Sequence, residues 1–318
     1  SFPTRRSSDL GGGGDDELAI LPPGPDNLAV RDFIGVMLDG EAGDDELSCV
    51  YGDIAVSGGP GADKLTVVDP YPLGLVGSPM AVRVGSDHVL AAAPGGTERV
   101  VFFDGIESLC VRLGSAGAGN AVRILSTIDG TTTVVGGAGA DEVTLRGNTG
   151  QVTVDGAGAG LDTLVVDRLD DTNGVSGTVT ADAVGGFGLT ASVSYSDMEA
   201  LRLDLGAGAD AVVLRGTSAA TLIVGGGGDD RVAAQVVTQE PGGPAPALAA
   251  AATFNGVEGD DEIVIEIPTD PAALADVIPP DPHNSGAPLL ANLTFDAETV
   301  RVRHLGNEPV DWRAEDGV

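Results

Sequence analysis

Between residues 100 and 235, apolar and polar positions alternate in short bursts: VTLRG, QVTVDG, DTLVVD, GTVTA, ASVSY, LRLDL, AVVLRG and TLIVG. A period of two predicts half-buried β-strands, and the glycine-rich stretches between bursts predict tight turns. The same alternation predicts strands at 47–51 (LSCVY) and 65–68 (LTVV), and it restarts over 256–267 and 292–305. Residues 69–99, with Pro70, Pro72, Pro79 and Pro94, read as looser. The polar stretch 167–174 (DRLDDTNG) suggests a calcium loop, but Leu169 stands where the first ligand belongs, so it reads as a surface turn.

The turns repeat. Four windows fit G-G-x-G-x-D-x-U-x, with U apolar: 11–19 (GGGGDDELA), 58–66 (GGPGADKLT), 136–144 (GGAGADEVT) and 225–233 (GGGGDDRVA). Four more miss by one residue: 40–48 (GEAGDDELS), 157–165 (AGAGLDTLV), 205–213 (LGAGADAVV) and 256–264 (GVEGDDEIV). A ninth, 114–122 (GSAGAGNAV), carries Asn120 in place of the acid. Asp45 to Asp63 is 18 residues, Asn120 to Asp141 and Asp141 to Asp162 are 21 each, and Asp210 to Asp230 is 20. A step of about 20 residues is the signature of stacked coils, so the expected fold is an all-β, elongated parallel β-solenoid with the Gly-Asp turns on one edge.

A longer repeat overlies the first. Residues 101–114 (VFFDGIESLCVRLG), 193–206 (VSYSDMEALRLDLG) and 293–306 (LTFDAETVRVRHLG) share an aromatic (Phe103, Tyr195, Phe295) and a glutamate (Glu107, Glu199, Glu298) between two strands. The glutamates are expected to be solvated turn residues.

Composition narrows the partners. The 318 residues carry a net charge of −32 with 42% apolar and only 3% aromatic content. Such a surface disfavours nucleic acid and anionic membranes. No apolar run reaches the length of a membrane span. Cys49 and Cys110 lie in apolar strands and are expected to be separate core residues. The one N-glycosylation sequon, at Asn292, is expected by chance.

Residues 1–10 (SFPTRRSSDL) resemble a translated sequencing adapter and are set apart as non-native. The expected organisation is then a solenoid over 11–237, a Pro/Ala insertion over 238–255, and a continuing, truncated solenoid repeat over 256–318. That last part contains a long loop at 268–291, with one helical turn at 271–277.

Stacked turns place their acids about 4.8 Å apart. Calcium–oxygen bonds run about 2.3–2.6 Å, so an ion midway between two turns reaches oxygens on both. In this reading the glycines let turn carbonyls face the ion and the aspartate supplies charge. Without a cation, the paired carboxylates repel by roughly 1 to 3.5 kcal/mol, which couples metal binding to folding. The motif resembles the nonapeptide of the repeats-in-toxin (RTX, haemolysin-type) calcium-binding proteins. The resemblance implies Ca²⁺ held between turns by Asp45 with Asp63, Asp141 with Asp162, and Asp210 with Asp230, plus carbonyls. The candidate metal-site residues are Asp16, Asp45, Asp63, Asp141, Asp162, Asp210, Asp230 and Asp261, with Gly43, Gly61, Gly139, Gly160, Gly208 and Gly228. Family motifs run in tandem, whereas here one motif falls in each coil. In the competing reading the acids are solvated corners of a metal-free stalk.

The function expected is a calcium-stiffened structural or adhesive segment of a secreted or cell-surface protein, with cell-surface or matrix glycans or proteins as further partners. The alternative is a β-helix lyase or epimerase acting on acidic polysaccharide. His88, His283 and His304 lie far apart in sequence and no nucleophile or metalloprotease motif is present, so no enzyme is expected. Arg83, Arg99, Arg112 and Arg123 clustered on one face would favour the enzyme.

Overall fold

The computed structural model of this chain describes residues 14–20, 34–69, 80–92, 96–114, 119–235, 250–267, 293–296, 299–304 and 310–312. Every regular element among them is a β-strand. They fall into two compact units, 1–143 with 147–160, and 144–146 with 161–318.

The first unit runs β1 (Glu17–Ala19), β2 (Ile34–Asp39), β3 (Glu46–Val50), β4 (Asp53–Ser57), β5 (Lys64–Val68), β6 (Ala81–Val84), β7 (His88–Ala92), β8 (Arg99–Asp104), β9 (Ser108–Arg112), β10 (Ala121–Ile124) and β11 (Thr131–Val135). It then runs through β12 (Glu142–Leu145), at the division between the units, to β13 (Gln151–Asp155). One sheet is ordered β1-β3-β5-β9-β11-β13 and the other β2-β4-β8-β7-β6-β10. All pairings described are parallel except those of β7 with β6 and β8.

The second unit holds β14 (Thr163–Asp167), β15 (Ser176–Val179), β16 (Ala183–Gly186), β17 (Val193–Ser196), β18 (Ala200–Asp204), β19 (Ala211–Leu214), β20 (Ala220–Gly227) and β21 (Arg231–Gln235). After these come β22 (Ala252–Glu258), β23 (Glu262–Ile267), β24 (Leu293–Asp296), β25 (Thr299–His304) and β26 (Val310–Trp312). Its sheets are ordered β14-β18-β20-β22-β24 and β17-β16-β15-β19-β21-β23-β25-β26. Here β16 runs antiparallel to both neighbours, and β26 runs antiparallel to β25.

Register explains why these strands stack. Leu47 lies beside Leu65 and Leu65 beside Leu109, while Cys49 lies beside Val67 and Val67 beside Val111. All six are buried. In the second unit Val212, Val232 and Ile263 form the equivalent row, also buried. Burying one such side chain contributes about 1.5–3 kcal/mol, so each added rung brings its own stabilisation. Phe103 and Tyr195 of the longer repeat are buried, and Tyr195 Oη donates to the Thr180 carbonyl at 2.7 Å.

Several expectations change. The stretch read as loose holds β6 and β7, because Pro79 and Pro94 lie outside the two strands and do not interrupt them. β22 begins at Ala252, inside the segment assigned by composition to the Pro/Ala insertion. Cys49 and Cys110 are both free and buried, and burial pushes the Cys49 thiol up to about 12. Residues 167–174 form a surface turn in which Arg168 pairs with Asp171 at 2.6 Å. Residues 1–10 and the loop at 268–291 lie outside the described residues. No helix among the described residues is long and apolar enough to cross a membrane.

Candidate metal-binding turns

The motif acids form hydrogen-bonded columns. In the first unit the Asp16 N–H donates to Asp45 Oδ1 at 2.8 Å and the Asp45 N–H to Asp63 Oδ1 at 2.8 Å. In the second, the Val175 N–H donates to Asp210 Oδ1 at 2.7 Å, Asp210 N–H to Asp230 Oδ1 at 2.9 Å and Asp230 N–H to Asp261 Oδ1 at 2.9 Å. Each carboxylate therefore reaches back to the rung before it. The pairs Asp45–Asp63 and Asp210–Asp230 are brought together as the sequence implies. Asp141 belongs to the first unit and Asp162 to the second. Asp141 Oδ1 accepts from Asn120 N and Nδ2 at 2.7 and 2.8 Å, and the Asp162 N–H donates to Glu199 Oε2 at 2.7 Å.

These acids are not solvated corners. Asp45, Asp63, Asp141, Asp162, Asp210, Asp230 and Asp261 are all at most 3% exposed, and only Asp16 is half-buried. Nor do the motifs keep to one edge. In the first unit Asp45 and Asp63 precede β3 and β5 of one sheet, while Asn120 precedes β10 of the other. Between Glu107 and Asn120, 13 residues apart, the chain passes from β9 of one sheet to β10 of the other.

The glycines have a steric reason that the sequence reading did not contain. A Cβ on Gly58 would lie 2.6 Å from Asp63 Oδ2, and one on Gly136 would lie 3.1 Å from Asp141 Oδ2. Gly40, Gly225 and Gly256 stand in the same relation to Asp45, Asp230 and Asp261. The first glycine of the motif thus leaves room for the aspartate five residues later to fold under its own turn. The fourth-position glycines stack on one another. A Cβ on Gly61 would strike the Gly43 carbonyl oxygen, one on Gly160 the Gly139 oxygen, and one on Gly228 the backbone of Gly208.

The charge environment is one-sided. Burial raises the pKa of Asp63, opposed by the Asp45 N–H and reinforced by Asp45, Glu107 and Asp44. Burial likewise raises Asp210, opposed by the Val175 and Gly206 N–H groups. Asp230 is pushed up to about 7, by burial first and then by Asp210, Asp261 and Asp229, against the Asp210 N–H. The Oδ2 atoms of Asp45, Asp63, Asp210 and Asp230 are buried without a hydrogen-bond partner. Such a group is costly unless a proton or a cation meets it.

The donor set suits a hard cation. Asp63 Oδ2 and the Gly105 carbonyl oxygen converge beside Gly58, and Asp230 Oδ2 and the Gly256 carbonyl oxygen beside Gly225, where a Cβ would strike them. All are oxygens, as calcium requires. Among the described residues no group of three or more His, Cys, Asp or Glu side chains is placed to hold a metal. A calcium ion would therefore rest on one or two carboxylates with carbonyls, and the residues fit it in that form.

Two groups of residues were missed. Glu107 and Glu199, exposed as expected, are not idle: each carboxylate accepts the N–H of a motif aspartate, Asp63 at 2.8 Å and Asp162 at 2.7 Å. Their recurrence in the longer repeat was the available signal. The acids just before the motif aspartate form an outer ladder running the opposite way. Asp15 Oδ1 accepts from Asp44 N at 3.1 Å, Asp44 Oδ1 from Ala62 N at 2.9 Å, and Asp229 Oδ1 from Asp260 N at 3.0 Å. The Asp-Asp doublets were their sign. Glu298 lies outside the described residues.

Of the four arginines, Arg83 and Arg123 are in-register neighbours on β6 and β10, Arg99 lies at the start of β8 beside Asp53, and Arg112 is on the other sheet. No protein-family model and no curated protein matches this chain. The class its own residues define is an all-β protein of long, mainly parallel sheets with columns of buried turn acids.

Proposed function

We propose that the chain is a segment of a parallel β-solenoid with coils of about 20 residues, as the 18-, 20- and 21-residue motif steps suggest. Calcium ions bind among the buried turn acids and stiffen a structural or adhesive part of a secreted or cell-surface protein. The observation that carries this reading is the set of buried, unpartnered Oδ2 atoms on Asp45, Asp63 and Asp230, each beside a glycine carbonyl, on carboxylates whose Oδ1 atoms accept from backbone N–H groups. Asp16, Asp45 and Asp63 would hold the metal in the first unit, and Asp210, Asp230 and Asp261 in the second. The ion would supply the positive charge that the columns lack.

A second reading has its own support. At Asn120 an amide fills the position of the acid, accepting from the Met80 N–H at 3.2 Å while donating to Asp141. The ladder can therefore be built without charge, and protonated aspartates would make a metal-free stalk. A thermal melt at pH 8 with calcium, magnesium or chelator separates the two. The calcium reading expects a clear rise in melting temperature with calcium and a smaller one with magnesium. No change between calcium and chelator would overturn it.

A further inference from the structure

Each unit contains an antiparallel meander inserted in a parallel sheet: β6-β7-β8 in the first and β15-β16-β17 in the second. Their inward faces are alike, with Val82, Val84, Val89, Ala91, Val101 and Phe103 in one and Val179, Val184, Val193 and Tyr195 in the other, all buried. Their outward faces differ. The second unit shows Ser176, Thr178, Ala183, Ser194 and Ser196, whereas the first shows Arg83, His88, Leu90, Val100 and Phe102 alongside Ala81, Ala92 and Asp104. The fold is therefore satisfied by small polar residues at these places, and the large ones have another reason to be there.

The patch is continuous. Phe102 is 54% exposed and has His88 beside it on β7, with ring centroids 6.4 Å apart. On the other side it adjoins Ala55 of β4, which adjoins Met37, 64% exposed. Leu90 lies opposite Arg83, and Arg83 is in register with Arg123. Like charges placed side by side across a ladder destabilise it. Elsewhere arginines meet acids: Arg146 with Asp167 at 2.8 Å, Arg202 with Asp204 at 2.7 Å and Arg231 with Glu262 at 3.1 Å. Arg83 pairs with Glu98 at 3.6 Å and His88 Nδ1 lies 2.6 Å from Asp87 Oδ1, whereas Arg123 meets no acid among the described residues. In a chain with 48 acidic and 16 basic residues, an exposed arginine with no acid of its own, set in register beside a second arginine, is a position held open for an outside anion.

The geometry points to this face, from Phe102 to Arg123, as a binding surface for a carboxylate-bearing polysaccharide. A flat sheet with an open aromatic ring suits the apolar face of a sugar, and the paired guanidinium groups suit a uronate carboxylate. The face lies four strands across, β8-β7-β6-β10, or about 14 Å at the ordinary strand spacing, which matches an extended chain better than a single anion. An acidic peptide fits less well. Peptides dock on free strand edges or in grooves, whereas β6, β7 and β8 are each paired on both sides. The inference rests on the adhesive half of the proposed function and not on calcium.

The test is affinity electrophoresis and calorimetry of the full chain at fixed calcium, with hyaluronate oligosaccharides as probe and uncharged chitin oligosaccharides as control. Hyaluronate should retard the protein at low ionic strength, less so at high salt, and the uncharged sugar should not. Arg123→Gln and Phe102→Ala, both exposed positions, should each weaken binding by roughly ten-fold or more while melting as the wild type does. Arg215→Gln, an exposed arginine of the second unit, should leave binding unchanged. No retardation, or equal losses in Arg123→Gln and Arg215→Gln, would overturn the proposal. So would equally tight binding of polyglutamate, which would assign the face to acidic peptides. A chain that ignores calcium yet binds hyaluronate through Arg123 sinks only the metal reading.

Discussion

The rung that joins Asn120 to Asp141 and the rung that joins Asp210 to Asp230 use one geometry with different charge. In both, a backbone N–H donates to an aspartate Oδ1, at 2.7 and 2.9 Å. In the first, Asn120 Nδ2 adds a second donor and the Gly137 N–H satisfies Asp141 Oδ2 at 2.7 Å. In the second, Asp230 Oδ2 is buried with no partner and acids lie on both sides of it. The comparison separates two jobs of the motif. The hydrogen bond positions the rung and needs only an acceptor. The charge exceeds what the fold requires and is the part that asks for a cation.

Removing calcium should widen that difference most. Two sites near saturation contribute about 2.7 kcal/mol each, so chelation at pH 8 should lower the melting temperature on the order of 10 °C. Hydrogen exchange should show the amides of Asp210 and Asp230 losing protection while that of Asn120 keeps it. Equal loss at both rungs would remove the distinction. Gly225→Ala and Gly136→Ala should instead break both kinds of rung alike. Their new methyl groups meet Asp230 and Asp141 respectively, for a loss of about 2–4 kcal/mol each, with or without metal.

The sign of the pH effect follows from Asp230. Its folded pKa of about 7 lies above the ordinary 3.8, so its contribution is fully present below the ordinary value and lost as pH rises through 7. Chelated protein should therefore melt higher at pH 5 than at pH 8, and calcium should matter at pH 8 and little at pH 5. Asp230→Asn turns the charged rung into the neutral kind. It should raise the melting temperature of chelated protein at pH 8 by a few degrees and remove much of the calcium response. Asn120→Asp runs the exchange in reverse. It is expected to cost about 1 kcal/mol in chelator and to add a small calcium response, measurable by the same melts.

Much of the strand pattern was legible because period-two alternation survives at 47–51, 65–68 and through most of 100–235. The columns were legible as well, since Asp45 and Asp63 stand one motif step apart and are bonded at 2.8 Å. β7 lay in the stretch read as loose on its prolines and β16, AVGG, is too short and glycine-rich to show alternation, so neither was expected as a strand. Their reversed direction is something alternation cannot carry. Spacing alone could not tell which sheet a motif leads into, which hid the change of sheet at Asn120. Burial was misjudged in the solvated-corner reading because an aspartate beside glycines looks exposed until the glycine Cα beneath it is located. Phe102 and Arg123 gave no sequence signal of a patch, since they meet only through the register of β8, β7, β6 and β10.

The inner columns have a direction. The amide of Asp16 waits for the side chain of Asp45, that of Asp45 for Asp63, and that of Asp63 for Glu107. A chain emerging amino end first thus always leaves its newest corner incomplete until the next one arrives. Assembly then advances like a zip with a single pull, and Glu107 and Glu199 act as stops at which a run of corners is finished and nothing further is owed.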